Sequence, residues 1–194
     1  VDQLRAAGKF PADPDNDEWA HLLIEASTAA GHDRPDRLHE HADGAALVEE
    51  IAGRIDQVDR ERASNRWAPD RDGDTTYLCT AGRSADGRMM GVSLIQSNAS
   101  GLGSHLVEPN TGINLHNRGM GFNLHPGHPA ELGPGRCPPH TLSAALATRD
   151  GELLSVFGTM GGDAQPQILL QVATRLFHHG QSPGMAINAG RWAL

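Results

Sequence analysis

The sequence predicts an α+β fold built on antiparallel sheet, and two observations carry that expectation. Two stretches of strand-like alternation each turn back at an Asp-Gly pair, Asp86-Gly87 and Asp150-Gly151, a strong short-range hairpin signal. Apolar residues at helical spacing stand before the first hairpin and after the second. Hairpins with helices at both ends fit half of a sheet-on-sheet sandwich flanked by helices.

Residues 1–16 are polar and broken by Pro11 and Pro14, so they read as loop. Asp17 reads as the N-cap of a helix reaching about Ala30, stopped by Gly31, with Trp19, Leu22, Leu23 and Ala26 as its apolar stripe. A second helix is predicted from Gly44 to Arg62, striped by Leu47, Val48, Ile51, Ile55 and Val58. Ser64 to Asp74 is a polar linker carrying Trp67. Strands follow at 75–83 and 89–97, with Thr75, Tyr77 and Cys79 on one face of the first and Thr76, Leu78 and Thr80 on the other. Residues 99–140 are rich in Gly, Pro, His and Asn and predict mostly irregular structure. The second hairpin is placed at 142–149 and 152–158. Gly161-Gly162 then leads into a helix from Ala164 to Phe177, with Pro166 in its tolerant first turn, Leu169, Val172 and Leu176 facing inward, and Gly180 at its end.

Composition narrows the function classes. A chain of 194 residues is long enough for one domain with a sizeable core. A net charge of −8, with Lys9 the only lysine, argues against a general nucleic-acid partner. No run of 18 apolar residues occurs, so no membrane span is predicted. Cys79 and Cys137 make no disulfide framework and read as two free thiols, one of them buried. The histidines, among them His125, His128, His178 and His179, stand at no trustworthy ligand spacing, so neither a metal nor another cofactor is implied.

The chemistry concentrates at Gly73-Asp74-Thr75-Thr76-Tyr77-Leu78-Cys79, where a hydroxyl follows a Gly/Asp-rich loop at the mouth of a strand. If the chain were cut before Thr75, its freed α-amine would serve as base for its own hydroxyl. Gly161 and Gly162 stand before a helix, where two backbone N–H groups can face an oxyanion without side chains in the way.

Further segments follow in order: Val92 to Asn98, Gly112-Ile113-Asn114-Leu115-His116-Asn117-Arg118-Gly119, Gly127-His128-Pro129, Pro139-His140-Thr141-Leu142-Ser143, and Gly158 to Gln167. From about Gly73 to Trp192 this series resembles the catalytic subunit of the gamma-glutamyltransferase (gamma-glutamyltranspeptidase) family, in its divergent gamma-glutamyltransferase-like branch. The resemblance implies an N-terminal-nucleophile hydrolase with an αββα four-layer sandwich, incomplete in a fragment of this length. It implies that residues 1–74 are the helical end of the large subunit plus a processing linker. Residues 75–194 are then the small catalytic subunit. Cleavage falls at Asp74-Thr75, Thr75 is the nucleophile, and Gly161 and Gly162 form the oxyanion hole.

The same resemblance places Asn98, Gln96, Arg118, His140 and Thr141 around the substrate, with four departures. Gln96 stands where many members have a Thr bonded to the nucleophile. Gly121 replaces the Asp that binds the glutamyl ammonium, and Arg118 replaces a Gln or Glu. His140-Thr141 replaces a pair of serines on the substrate carboxylate. The short run from Phe122 to Arg136 implies that a lid is missing. Arg118 is suited to hold a carboxylate, and a Gly121→Asp exchange is the natural way to restore an ammonium partner.

The implied activity is hydrolysis, or transfer to an amino acid or peptide acceptor, of a γ-glutamyl group from a glutathione-like small molecule. The alternatives are an acylase for non-glutamyl amides or β-lactam side chains, and a non-catalytic structural remnant. Remnant status is suggested by the missing upstream Arg that members use for the α-carboxylate. The further partner is the remaining large-subunit segment. Members are usually periplasmic or extracellular, some divergent ones cytoplasmic, so the compartment stays open.

Overall fold

Asn16, one residue before the expected Asp17, caps the first long helix: its side chain accepts from the N–H of Glu18. In a computed structural model describing residues 1–64 and 75–194, that helix (α2, Asp17–Gly31) follows a short one, α1 (Asp2–Ala6), in the stretch predicted as loop. Leu4 of α1 is buried, and this single apolar anchor explains why a polar segment becomes helical. Trp19, Leu22 and Leu23 of α2 are buried as their spacing predicts.

After α3 (Arg34–Arg37), the second long helix is shorter than its apolar stripe. α4 covers Gly44–Ala52, capped by Asp43, and gives way to a 3-10 turn at Gly53–Gln57. Gly53 is a poor helix former, and Arg54 just beyond it turns back to Asp33 and Glu50 at 2.7 and 2.9 Å. Leu47, Ile51, Ile55 and Val58 are half-buried, whereas Val48 is exposed.

The first hairpin matches its expected bounds. Strands β1 (Thr75–Arg83) and β2 (Met89–Ser97) pair antiparallel, with Thr75 opposite Ser97, Tyr77 opposite Ile95 and Cys79 opposite Ser93. The second hairpin, β3 (Ala145–Arg149) and β4 (Glu152–Phe157), starts later than predicted. The backbone donors ahead of it go elsewhere: Ser143 N–H to the Gln165 side chain at 3.0 Å and Ala145 N–H to Ser93 Oγ at 3.1 Å. The hairpins form separate two-stranded sheets that meet through the Tyr77 face of the first, while Leu78, Val92 and Leu94 on the opposite face are exposed. Cys79 and Cys137 are both free and exposed, so neither is the buried thiol that was expected. Cys79 lies in the distal half of β1, where the strand is exposed on both faces. Between the hairpins lie only a 3-10 turn (Arg118–Gly121) and isolated bridges, as the composition predicts.

The last helical region is divided into a 3-10 turn at Gly162–Ala164, α5 (Gln165–Ala173) and a π-turn at Thr174–His178. Leu169, Val172 and Leu176 are only half-buried, and the deepest positions are Gln165, Gln167, Gln171 and Thr174. Buried amides need partners, and for Gln167 and Gln171 the backbone of Trp192 and Leu194 supplies them. Gln171 gives Nε2–H to Trp192 O at 2.8 Å and accepts from Trp192 N at 3.2 Å. Gln167 accepts from Leu194 N at 2.9 Å and donates to Leu194 O at 3.4 Å. α6 (Pro183–Asn188) precedes that segment. Beyond α5, Arg175 lies 4.7 Å over the Trp19 ring and binds Asp15 at 2.9 Å, joining this end of the chain to α2.

Candidate active site

Thr75 is the first residue of β1 and half-buried, on the face turned towards the second hairpin. Two residues along that face, Tyr77 donates or accepts a 2.9 Å hydrogen bond with Ser93 Oγ. The Tyr77 ring packs directly against Gly158: a Cβ on Gly158 would fall 2.0 Å from Tyr77 Cε2. Real carbon contacts sit near 3.5–4.0 Å, so only glycine permits this approach. Burial pushes the Tyr77 phenol up despite the opposing Ser93 bond. Tyr77 thus joins the strand that starts at Thr75 to the segment that leads into Gly161-Gly162.

Those two glycines adopt φ of +112° and +53°, the left-handed region that side chains resist. Gly161 caps the 3-10 turn, and its carbonyl accepts from Ala164 N at 2.9 Å. Among the described residues neither glycine N–H is spent on a protein acceptor, the condition an oxyanion donor has to meet.

Strand pairing, chain adjacency and hydrogen bonds together link Thr75 to this turn. Ser97, opposite Thr75, precedes Asn98, whose carbonyl accepts from Asn117 N at 3.0 Å. Asn117 also fixes the intervening loop, bonding Ser100 N, Ser100 O and Gly103 O through its side chain. Next in sequence, Arg118 gives Nη1–H to Thr141 Oγ1 at 3.4 Å. Arg34 of α3 closes the series, pairing with Asp163 and reaching His140 O at 3.4 Å.

Arg118 is distinctive in this set. Its Nη2 is buried without a hydrogen-bond partner among the described residues, and desolvation holds the guanidinium below its ordinary pKa. The contacts therefore bring Asn98, Arg118, His140 and Thr141 onto one linked path with Thr75 and Gly161-Gly162. Gln96 does not join them: it is exposed, pairs with Thr76, and sits on the strand face opposite Thr75. Ser97, directly opposite Thr75, places its hydroxyl on the Thr75 face. Asp74, the residue before the expected cut, lies outside the described residues.

Position 121 closes off the anticipated restoration. A Cβ on Gly121 would meet Pro139 O at 2.8 Å, a backbone atom that cannot swing aside. An aspartate here would displace the chain before presenting its carboxylate.

A cavity of about 720 Å³ lies elsewhere, between α2, α4 and α5. Arg34 and His140 line it, but Thr75, Asn98, Arg118, Gly161 and Gly162 do not. Among the described residues no three His, Cys, Asp or Glu side chains converge as metal ligands.

Three structural features escaped the sequence reading. Arg34 and Asp163 are 129 positions apart, and no local pattern announces their pairing. Tyr77 and Ser93 were visible as strand residues on compatible faces, but only packing shows their shared role. Ala99 takes φ of +81° with its N–H on Ser97 Oγ at 3.0 Å. Such a backbone is strained for alanine, and it re-aims the chain immediately after Asn98.

The fold places the chain among N-terminal-nucleophile hydrolases of αββα architecture. Cephalosporin acylase from Bacillus halodurans superposes with a TM-score of 0.75 at 31% identity, covering 95% of this chain and 34% of that one. The W525D mutant of gamma-glutamyltranspeptidase from Pseudomonas nitroreducens shares the fold at a TM-score of 0.52 and 24% identity, over 60% of this chain and 63% of its own.

Residues 4–194 match the Gamma-glutamyltranspeptidase family profile, and the chain belongs to that family, in a divergent branch. It is 34% identical over 189 residues to the oxamate amidohydrolase proenzyme of Klebsiella pneumoniae, covering 94% of this chain and 35% of that protein. It is 38% identical over 188 residues to the glutathione hydrolase-like YwrD proenzyme of Bacillus subtilis, covering 90% and 34%. The chain thus spans about a third of the length of these relatives.

Proposed function

We propose that the complete protein is an autoprocessed acyl-amide hydrolase. Residues 1–74 contribute the end of its large subunit and 75–194 the small catalytic subunit. The observation that carries this reading is the Tyr77–Gly158 contact, which joins the strand opened by Thr75 to the segment carrying two unspent glycine amides. Cleavage of the Asp74–Thr75 bond frees the Thr75 α-amine. That amine takes the hydroxyl proton as Oγ attacks the acyl carbonyl carbon, and Gly161 and Gly162 N–H stabilise the resulting oxyanion. Collapse breaks the C–N bond, the amine leaves with the proton, and an acyl ester remains on Thr75. Water, deprotonated by the same α-amine, hydrolyses that ester to the free acid and regenerates the hydroxyl. Transfer follows when an amine acceptor replaces water.

The acyl group is γ-glutamyl or a related acyl. Two proenzyme relatives named for oxamate amidohydrolase and glutathione hydrolase-like activity support an amide substrate. The acylase reading is favoured by one observation, the closed position at Gly121, which leaves no room for the ammonium-binding aspartate. Hydrolysis of chromogenic acyl anilides by the complete protein tests the proposal. Wild type turns over at least one, and Thr75→Ala turns over none. Equal rates from both proteins exclude Thr75 as nucleophile.

A further inference from the structure

Resting on the acyl-amide reading above, we infer that Arg118, with Thr141, selects acyl groups that carry a carboxylate and no α-ammonium. Three observations converge on this. Arg118 holds a buried guanidinium nitrogen with no acceptor among the described residues, while Nη1 is already oriented by the Thr141 hydroxyl at 3.4 Å. A buried unpaired donor of a cation is costly, and an anionic ligand supplies the two oxygens that match a guanidinium. The neighbouring cation, Arg34, is already neutralised by Asp163, whereas Arg118 has no carboxylate partner among the described residues and is open to an anion.

Gly121 supplies the negative half of the argument. The backbone of Pro139 excludes a side chain there, so the segment beside Arg118 offers no carboxylate to an ammonium. Arg118 forms no ion pair with any described carboxylate. An ammonium placed beside it would meet like charge, whereas a carboxylate would meet its complement. The substrate class is therefore the monoamide of a dicarboxylic acid, bound with its free carboxylate on Arg118 and Thr141 and its amide carbonyl at Thr75.

Three p-nitroanilides separate the contributions in the complete protein: glutaryl (carboxylate alone), L-γ-glutamyl (carboxylate and ammonium) and butyryl (neither). The wild type hydrolyses the glutaryl compound with a kcat/KM about ten- to a hundredfold above the butyryl one, the range of one charge-assisted contact. It does not prefer the γ-glutamyl compound over the glutaryl. Arg118→Gln brings the glutaryl-to-butyryl ratio down towards one, chiefly through KM, and Arg118→Lys recovers part of it because charge without a planar fork remains.

A wild type that favours γ-glutamyl over glutaryl by tenfold or more overturns the inference. So does a ratio that Arg118→Gln leaves unchanged. If none of the anilides is hydrolysed by protein already cut before Thr75, the hydrolase reading fails instead. Calorimetric binding of free glutarate then reads the site without turnover: wild type binds it more tightly than Arg118→Gln, and equal binding overturns the inference.

Discussion

Replacing Gly158 with alanine should disturb both stability and chemistry, because one methyl group strikes the ring that joins the two halves of the site. Its Cβ would lie 2.0 Å from Tyr77 Cε2 and 2.3 Å from Cζ, so the ring has to retreat by roughly 1.5 Å to reach ordinary contact. It cannot do so alone, since its hydroxyl is held by Ser93 at 2.9 Å. Overpacking of this kind costs about 1–3 kcal/mol, and losing the Tyr77–Ser93 bond adds about 1 kcal/mol. The larger effect is geometric. Thr75 lies two residues before Tyr77, and a shift of about 1 Å between reacting groups lowers turnover by about 10²-fold. Denaturant unfolding and anilide hydrolysis measure the two effects. Tyr77→Leu combined with Gly158→Ala should be less destabilised than the sum of the single exchanges, because each removes the other's obstacle. Gly158→Ala with wild-type unfolding free energy and turnover would refute the reasoning.

Other expectations follow from the same contacts. Gly162→Ala should lower kcat by about 10²–10³-fold, the effect of losing one oxyanion donor, since φ of +53° and an open N–H are both required there; steady-state kinetics reads it. Gln171→Leu should destabilise the protein by about 1–3 kcal/mol in denaturant unfolding, because the Trp192 N–H and C=O lose their buried partner. Arg37 first, then Arg54, hold the Glu50 carboxyl at about 2, below its ordinary 4.5. A depressed folded value means the stabilisation is fully present above about pH 4.5 and lost as pH falls through about 2. Acid titration of Glu50→Gln, followed by circular dichroism, should show a flatter stability profile across that window than wild type.

What was legible in the sequence was local. β1 and β2 end where alternation and the Asp86-Gly87 turn predict, because both signals act within a few residues. The apolar stripe from Leu47 to Val58 was real, but it extended the predicted helix beyond Gly53, where a weak helix former and the backward reach of Arg54 favour a tighter turn. The buried face of α5 was misread because hydrophobicity marks burial only when polar groups lack partners. Gln167 and Gln171 find theirs in backbone 21 to 27 positions away. For the site, motif order singled out Asn98, Gln96, Arg118, His140 and Thr141 as candidates, and strand parity sets Gln96 on the face opposite Thr75 and Ser97 on the same face. The pairing of Arg34 with Asp163 and the closure of Gly121 by Pro139 are properties of packing, which no pattern in the chain declares.

The most direct test of the central claim is the N-terminal residue of the small subunit isolated from the complete protein, read by sequencing and intact mass. The account predicts that it begins at Thr75-Thr76-Tyr77 and that Thr75→Ala leaves a single uncut chain. A small subunit beginning at any other residue, or a Thr75→Ala protein that still matures to the same two fragments, would contradict it.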